Sequence, residues 1–229
     1  MSPEPNRYGV LFDVDGTLVD TNYLHVVAWW HAFRSAGHRV SMTDIHRRVG
    51  QGAGRLVESL LGSADDDVED GHTDFYSPFL HELTPFPGAA DLLRTTKKAG
   101  LAVVLATSAS EKEAGALKAS IGADDAIDAL THKDDVESSK PAPDIVQSAL
   151  DKAGLSAEDA VFVGDTVWDV EAARRAGLDC VCVLSGGISE AELRDAGAVA
   201  VYDDVAALLD RFDDSPLGAL AARGRDGRG

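Results

Sequence analysis

Cysteine is nearly absent from this 229-residue chain: there are two, Cys180 and Cys182, in the apolar run Cys180-Val181-Cys182-Val183-Leu184. Alternation along a strand puts both on one face, where a disulfide would be strained, so no disulfide framework is expected and the pair reads as two buried reduced thiols. Positive charge is also scarce. Lys and Arg number 21 against 39 Asp and Glu, a formal charge of −18, and a field of that sign repels nucleic-acid backbones and anionic membranes as partners. No apolar stretch is long enough to span a bilayer. The stretch Met1-Ser2-Pro3-Glu4-Pro5 lacks the basic and apolar segments of a signal peptide, so a cytoplasmic location is expected, as a monomer or homodimer. Between Gly16 and Thr96 there is no lysine at all.

Against these absences stands a regular α/β order. Short β-rich runs at 8–12, 101–106, 126–130, 161–163, 180–184 and 199–202 alternate with helical patterns. Runs buried on both faces and separated by helices predict a doubly wound parallel sheet, whose sites lie at the carboxyl ends of its strands. Residues 21–84 break this order, reading as successive helices without a convincing strand, and Pro85-Phe86-Pro87-Gly88 marks the return. The expected organisation is an α/β core from 1–20 and 85–212, a helical insertion at 21–84, and a tail at 213–229. The tail is rich in Gly and Arg without periodicity and is expected to be mobile.

Asp13-Val14-Asp15-Gly16-Thr17 follows the first apolar run directly. Side chains two apart on an extended segment share a face, so Asp13 and Asp15 are expected to crowd one small space. A bound cation, a shared proton, or one ionised and one protonated group would relieve them. An isolated Asp-Gly is more often a turn, but more polar positions follow in order. Thr107 and Ser108 end the second run, hydroxyls suited to a phosphate, though a local cap explains a lone Thr equally well. Lys140 stands in Ser139-Lys140-Pro141-Ala142-Pro143-Asp144, on a proline-stiffened loop. Gly164-Asp165-Thr166-Val167-Trp168-Asp169 ends a further run with two carboxylates four apart, of which Asp169 is also placed to cap a helix. Ligands made of oxygen alone favour Mg²⁺.

The assembly resembles the haloacid dehalogenase superfamily of phosphohydrolases, whose four motifs match in order as Asp13-x-Asp15-Gly16-Thr17, Thr107, Lys140 and Gly164-Asp165-x-x-x-Asp169. The resemblance covers about 8–212, and the helical insertion is similar to that superfamily's α-helical cap. It implies hydrolysis of a small phosphorylated metabolite through an aspartyl phosphate on Asp13, with Asp15 as acid and then base. Mg²⁺ would be held by Asp13, the Asp15 backbone carbonyl and Asp165, with Asp169 supporting the shell, while Thr107 and Lys140 hold the phosphoryl oxygens. Asp15 argues against the dehalogenase branch, which lacks that carboxylate. The phosphonate-cleaving branch needs a cap lysine, and the insertion has none.

Thr21, His25 and Trp29 recur every four residues and resemble the segment after the first motif in β-phosphoglucomutases and their phosphatase relatives. A histidine and a tryptophan on one helix face more often pack at an interface, yet His25 is also a candidate to face the nucleophile and gate Asp15. In the mutase a cap-loop arginine binds the distal phosphate, and here Ala53 stands at that place with Arg55 near. Hydrolysis is therefore favoured over mutase chemistry, and both over a non-catalytic phosphate-binding module. Gln51, in the loop Gly50-Gln51-Gly52-Ala53-Gly54, and Arg55 are the further expected substrate contacts, with Ser108 and His25.

Overall fold

The computed structural model describes residues 8–136, 138 and 140–226; expectations placed on 1–7, Ser139 and 227–229 lie outside the described residues. Six strands form one parallel sheet: β1 (Gly9–Phe12), β2 (Ala102–Ala106), β3 (Ala129–Thr131), β4 (Ala160–Gly164), β5 (Asp179–Val183) and β6 (Ala200–Tyr202), in the order β3-β2-β1-β4-β5-β6. The reversal of direction at β1 is the switch point beside which such sheets bind ligands. Register sets the site, because Phe12 pairs with both Leu105 and Val163. Asp13, Thr107 and Asp165 therefore leave three adjacent strands at nearly the same level.

The strands are apolar on both faces because both are covered. One face packs α5 (Ala89–Lys98), α6 (Glu111–Ile121) and α10 (Val205–Asp210); the other packs α7 (Asp144–Ala153), α8 (Val167–Arg175) and α9 (Glu190–Ala196). The weak run expected at 126–130 starts as a turn instead: the Ala126 amide bonds the Ala123 carbonyl at 2.9 Å, Ala126 itself is buried, and pairing begins only at Ala129. Cys180 and Cys182 are buried free thiols with their sulfurs 3.8 Å apart.

Between β1 and α5 lies the inserted cap, with α1 (Asn22–Ser35), α2 (Met42–His46), α3 (Ala53–Leu61), α4 (Asp66–Tyr76) and a short 3₁₀ turn at Ser77–His81. It has its own core of Val26, Trp29, Phe33, Ile45, Leu56, Val57 and Val68. The two chain segments joining it to the sheet run side by side. Val19 bridges Pro85, and the Phe86 and Asp20 amides bond the Leu18 and Thr84 carbonyls at 2.9 and 3.0 Å.

The tail departs from expectation. Residues Pro216–Asp226 form a helix, α11, that buries Leu217, Leu220 and Ala221 in the core beneath the sheet. Spacing of i, i+3 and i+4 is one helix face, and the surrounding Gly and Arg obscure it in composition. Ser215 starts the helix by accepting from the Leu217 and Gly218 amides at 3.2 and 3.3 Å. Among the described residues no helix is long and apolar enough to cross a membrane.

Candidate active site

Three buried carboxylates, Asp13, Asp165 and Asp169, each offer an oxygen within 4.8 Å of the others at the carboxyl end of β1 and β4. Lys140 stands among them. Its ammonium bonds Asp13 Oδ1 and lies 2.8 Å from Asp169 Oδ1, and the side chain is 1% exposed. Burial alone would push Lys140 down, but the two carboxylates overcome it and hold the charged form.

Asp165 is set by the first motif and the first residue of α1. Thr17 Oγ1 donates to its Oδ1 at 2.8 Å and Asn22 Nδ2 to its Oδ2 at 2.9 Å. Asp169 is the third residue of α8, and its Oδ2 accepts from the Thr166 amide at 3.0 Å and hydroxyl at 2.7 Å. Asp169 thus divides its oxygens: Oδ2 completes the capping box with Thr166, and Oδ1 faces Lys140. Two glycines make room. A Cβ on Gly186 would lie 1.9 Å from Asp165 Oδ2, and one on Gly164 would lie 2.6 Å from the Asp169 side chain.

The cluster fits a divalent cation. Its donors are hard oxygens, and they are short of positive charge: burial, then Asp169, pushes Asp165 up to about 7. Burial also lifts Asp13 well above the carboxylate range, with Lys140 opposing and Asp169, Asp165 and Asp15 adding. A cation is the economical relief for such a set.

Asp15 shares the cavity with Asp13 but not the cluster. Thr21 Oγ1 donates to its Oδ1 at 2.7 Å, His25 Nε2 lies 3.3 Å from the same oxygen, and Thr107 Oγ1 donates to Oδ2 at 3.0 Å. Burial works to raise Asp15, yet the bonds from His25, Thr21 and Thr107 outweigh it and hold the carboxyl below its ordinary value. The crowded pair is thus split, one acid pushed up and the other held down.

A cavity of about 180 Å³ opens between core and cap over Asp13, Asp15 and Lys140. Ser108 lines it, its buried hydroxyl without a hydrogen-bond partner, as do His25 and Gln51. Arg55 does not line it; next to the buried Leu56 and Val57 on α3, it faces outward and is exposed. Thr107 is fully buried, outside the lining, and its hydroxyl donates to Asp15 Oδ2.

Sequence reasoning missed the partners of His25 on α4. His25 Nδ1 lies 3.1 Å from His72 Nε2, the Tyr76 ring stacks on His25 at 4.0 Å, and Trp29 stacks on His72 at 3.9 Å. The spacing of His72 and Tyr76 by four was the available signal, but nothing in it says which helix they face. His46 was missed too; its Nε2 lies 2.9 Å from the Gly186 carbonyl and ties α2 to the loop against Asp165.

A family model described as haloacid dehalogenase-like hydrolase matches residues 9–177. A phosphoglycolate phosphatase of Rhodospirillum rubrum is 33% identical over 222 residues, covering 88% of this chain and 89% of that protein. A crystal structure of a hydrolase from Pseudomonas syringae superposes with a TM-score of 0.85 at 34% identity, covering 91% of this chain and 99% of that one. A CbbY mutant from Rhodobacter sphaeroides, crystallised with xylulose-(1,5)bisphosphate, is 28% identical with a TM-score of 0.72, covering 88% and 96%.

Proposed function

The chain belongs to the haloacid dehalogenase-like hydrolases, and on that premise we propose that it is a cytoplasmic, Mg²⁺-dependent phosphatase that hydrolyses a small phosphorylated metabolite through an aspartyl phosphate on Asp13. The observation that carries this reading is the division of labour between the first two carboxylates. Asp13 sits with Lys140 in the acid cluster, and Asp15 is held apart over the same cavity by Thr21, His25 and Thr107.

Asp13 Oδ attacks phosphorus, the bond to the leaving oxygen breaks, and Asp15 delivers a proton to that oxygen. Asp15 then takes a proton from the water that attacks the aspartyl phosphate, releasing phosphate and restoring Asp13. Held below its ordinary value, Asp15 rests ionised and free to accept the proton of the second step; for the first, the approaching phosphate anion raises its affinity so that it takes up a proton from solvent. Lys140 neutralises the meeting of carboxylate and phosphate, and Ser108 has a free hydroxyl for a phosphoryl oxygen. A cation held by Asp13, Asp165 and the Asp15 carbonyl, backed by Asp169, would supply charge neutralisation at the phosphoryl oxygens. The cap, residues 21–84, supplies His25 and Gln51 to the cavity. The Rhodospirillum rubrum relative is named for phosphoglycolate, which makes that ester the natural comparison for this chain's substrate.

The mutase alternative loses support from the cap: Ala53 and not an arginine lines the cavity, and Arg55 faces outward. Phosphate release from a panel of small phosphomonoesters, with and without Mg²⁺, tests the proposal. Release that needs both Mg²⁺ and Asp13 is expected. Isomerised product without free phosphate would favour the mutase, and silence from every ester would contradict the phosphatase.

A further inference from the structure

The cavity that holds the phosphate end has an unusual far side. Beyond Asp13, Asp15 and Lys140, its charged lining is Glu69 and Asp70 of α4, Glu113 of α6, and Lys133 in the 3₁₀ turn after β3; among the described lining residues there is no arginine. Lys140 is enclosed by its two carboxylates and is not available to a second group. Lys133 thus stands alone against three acids. Glu113 cannot swing away, because its Oε2 accepts from the Ser110 amide at 2.9 Å and hydroxyl at 2.8 Å in the capping box of α6. Glu69 already feels an unfavourable field: burial raises its proton affinity most, then Asp66, with Lys133 opposing and Asp70 adding.

A second anion on the substrate would have to enter beside the half-buried Glu69 and Glu113 and the exposed Asp70, where like charge repels it. Hydroxyl groups face no such cost, and the lining offers them acceptors in Glu69 and Asp70 and neutral partners in Gln51 and Thr73.

We propose that this cavity selects phosphomonoesters whose leaving group carries hydroxyls and no second anion, so that carboxylate-bearing esters and bisphosphates are turned away. The inference rests on the phosphatase reading and narrows its substrate class. Glu69 and Asp70 are its specificity-determining residues.

A size-matched pair of esters tests it: 2-hydroxyethyl phosphate, and 2-phosphoglycolate, in which a carboxylate replaces the terminal CH₂OH. With Mg²⁺ and native protein, kcat/KM is expected to favour the hydroxyl ester by about tenfold or more. The doubly substituted Glu69→Gln, Asp70→Asn protein should reduce that ratio to about threefold or less, mainly by lowering KM for 2-phosphoglycolate, and added salt should narrow it in the native protein. Equal or better turnover of 2-phosphoglycolate by the native protein, or a ratio unmoved by the double substitution, overturns the inference and leaves the phosphatase standing. Release of phosphate from neither ester nor any other phosphomonoester overturns both.

Discussion

The raised Asp165 carboxyl makes pH a test of the proposed cation site. That carboxyl, pushed up to about 7, binds a proton in the folded chain well above the ordinary aspartate value of 3.8. The sign follows: a raised folded-state value contributes stability that is full below the unfolded value and is lost as pH rises through about 7. A cation competes for the same oxygens, so Mg²⁺ should raise the melting temperature more at about pH 8 than at about pH 5.5, and Asp165→Asn should remove most of the difference. An Mg²⁺ increment independent of pH contradicts this ligand assignment. Lys140 makes a second case. Lys140→Ala should cut turnover, and burial of Lys140 between Asp13 and Asp169 adds a structural role. Removing one partner of a buried ion set costs about 3–5 kcal/mol, so in metal-free protein the denaturation midpoint should fall as well as the activity. Asp13, Thr107 and Asp165 were legible because each directly follows an apolar strand. Arg55 was misread because its neighbours Leu56 and Val57 take the inward face of α3, a partition that a loop motif does not reveal.

Helices α1 and α4 hold Asp15 in place through a column of rings, and that column is pH-sensitive. Burial, then His25 and Lys133, holds His72 well below the ordinary histidine value. In the interval between that depressed value and the unfolded value near 6.5 the unfolded chain binds more protons, so stability falls as pH drops below about 6.5, by up to ~1.4 kcal/mol per pH unit. Urea midpoints at about pH 7.5 and pH 5.5 should differ, and His72→Asn should shrink the difference; an undiminished slope assigns it elsewhere. The loop after β5 supplies another check. Gly186 has no room for a Cβ against Asp165, so Gly186→Ala should cost about 1–3 kcal/mol and weaken Mg²⁺ binding, read by calorimetry. Element types were legible from period and punctuation, while the pairing of α1 with α4 was not, because an amphipathic pattern names a face and not the helix that covers it.

At the scale of the whole molecule, the parallel sheet was readable from alternation of strand and helix, and its closure at the carboxyl end was not. The last helix is the instructive miss. Leu217 and Leu220 fill the core under the sheet, and burial of a leucine contributes about 1.5–3 kcal/mol. Truncation after Asp214 should therefore lower stability by ~3–6 kcal/mol, where a mobile tail would change nothing; thermal unfolding decides. The cap, joined to the sheet by two adjacent segments, brings His25 and Gln51 over the strand ends and so makes one cavity from two cores. That cavity serves a covalent phosphatase only if Asp13 itself carries the phosphoryl group. Rapid acid quench of a single turnover with Mg²⁺, followed by mass spectrometry of the peptides, tests this most directly. One phosphoryl group is expected transiently on Asp13 in the native protein and none in Asp13→Asn. Full turnover by Asp13→Asn, or phosphate release from native protein with the phosphoryl group trapped on a different residue, would contradict it.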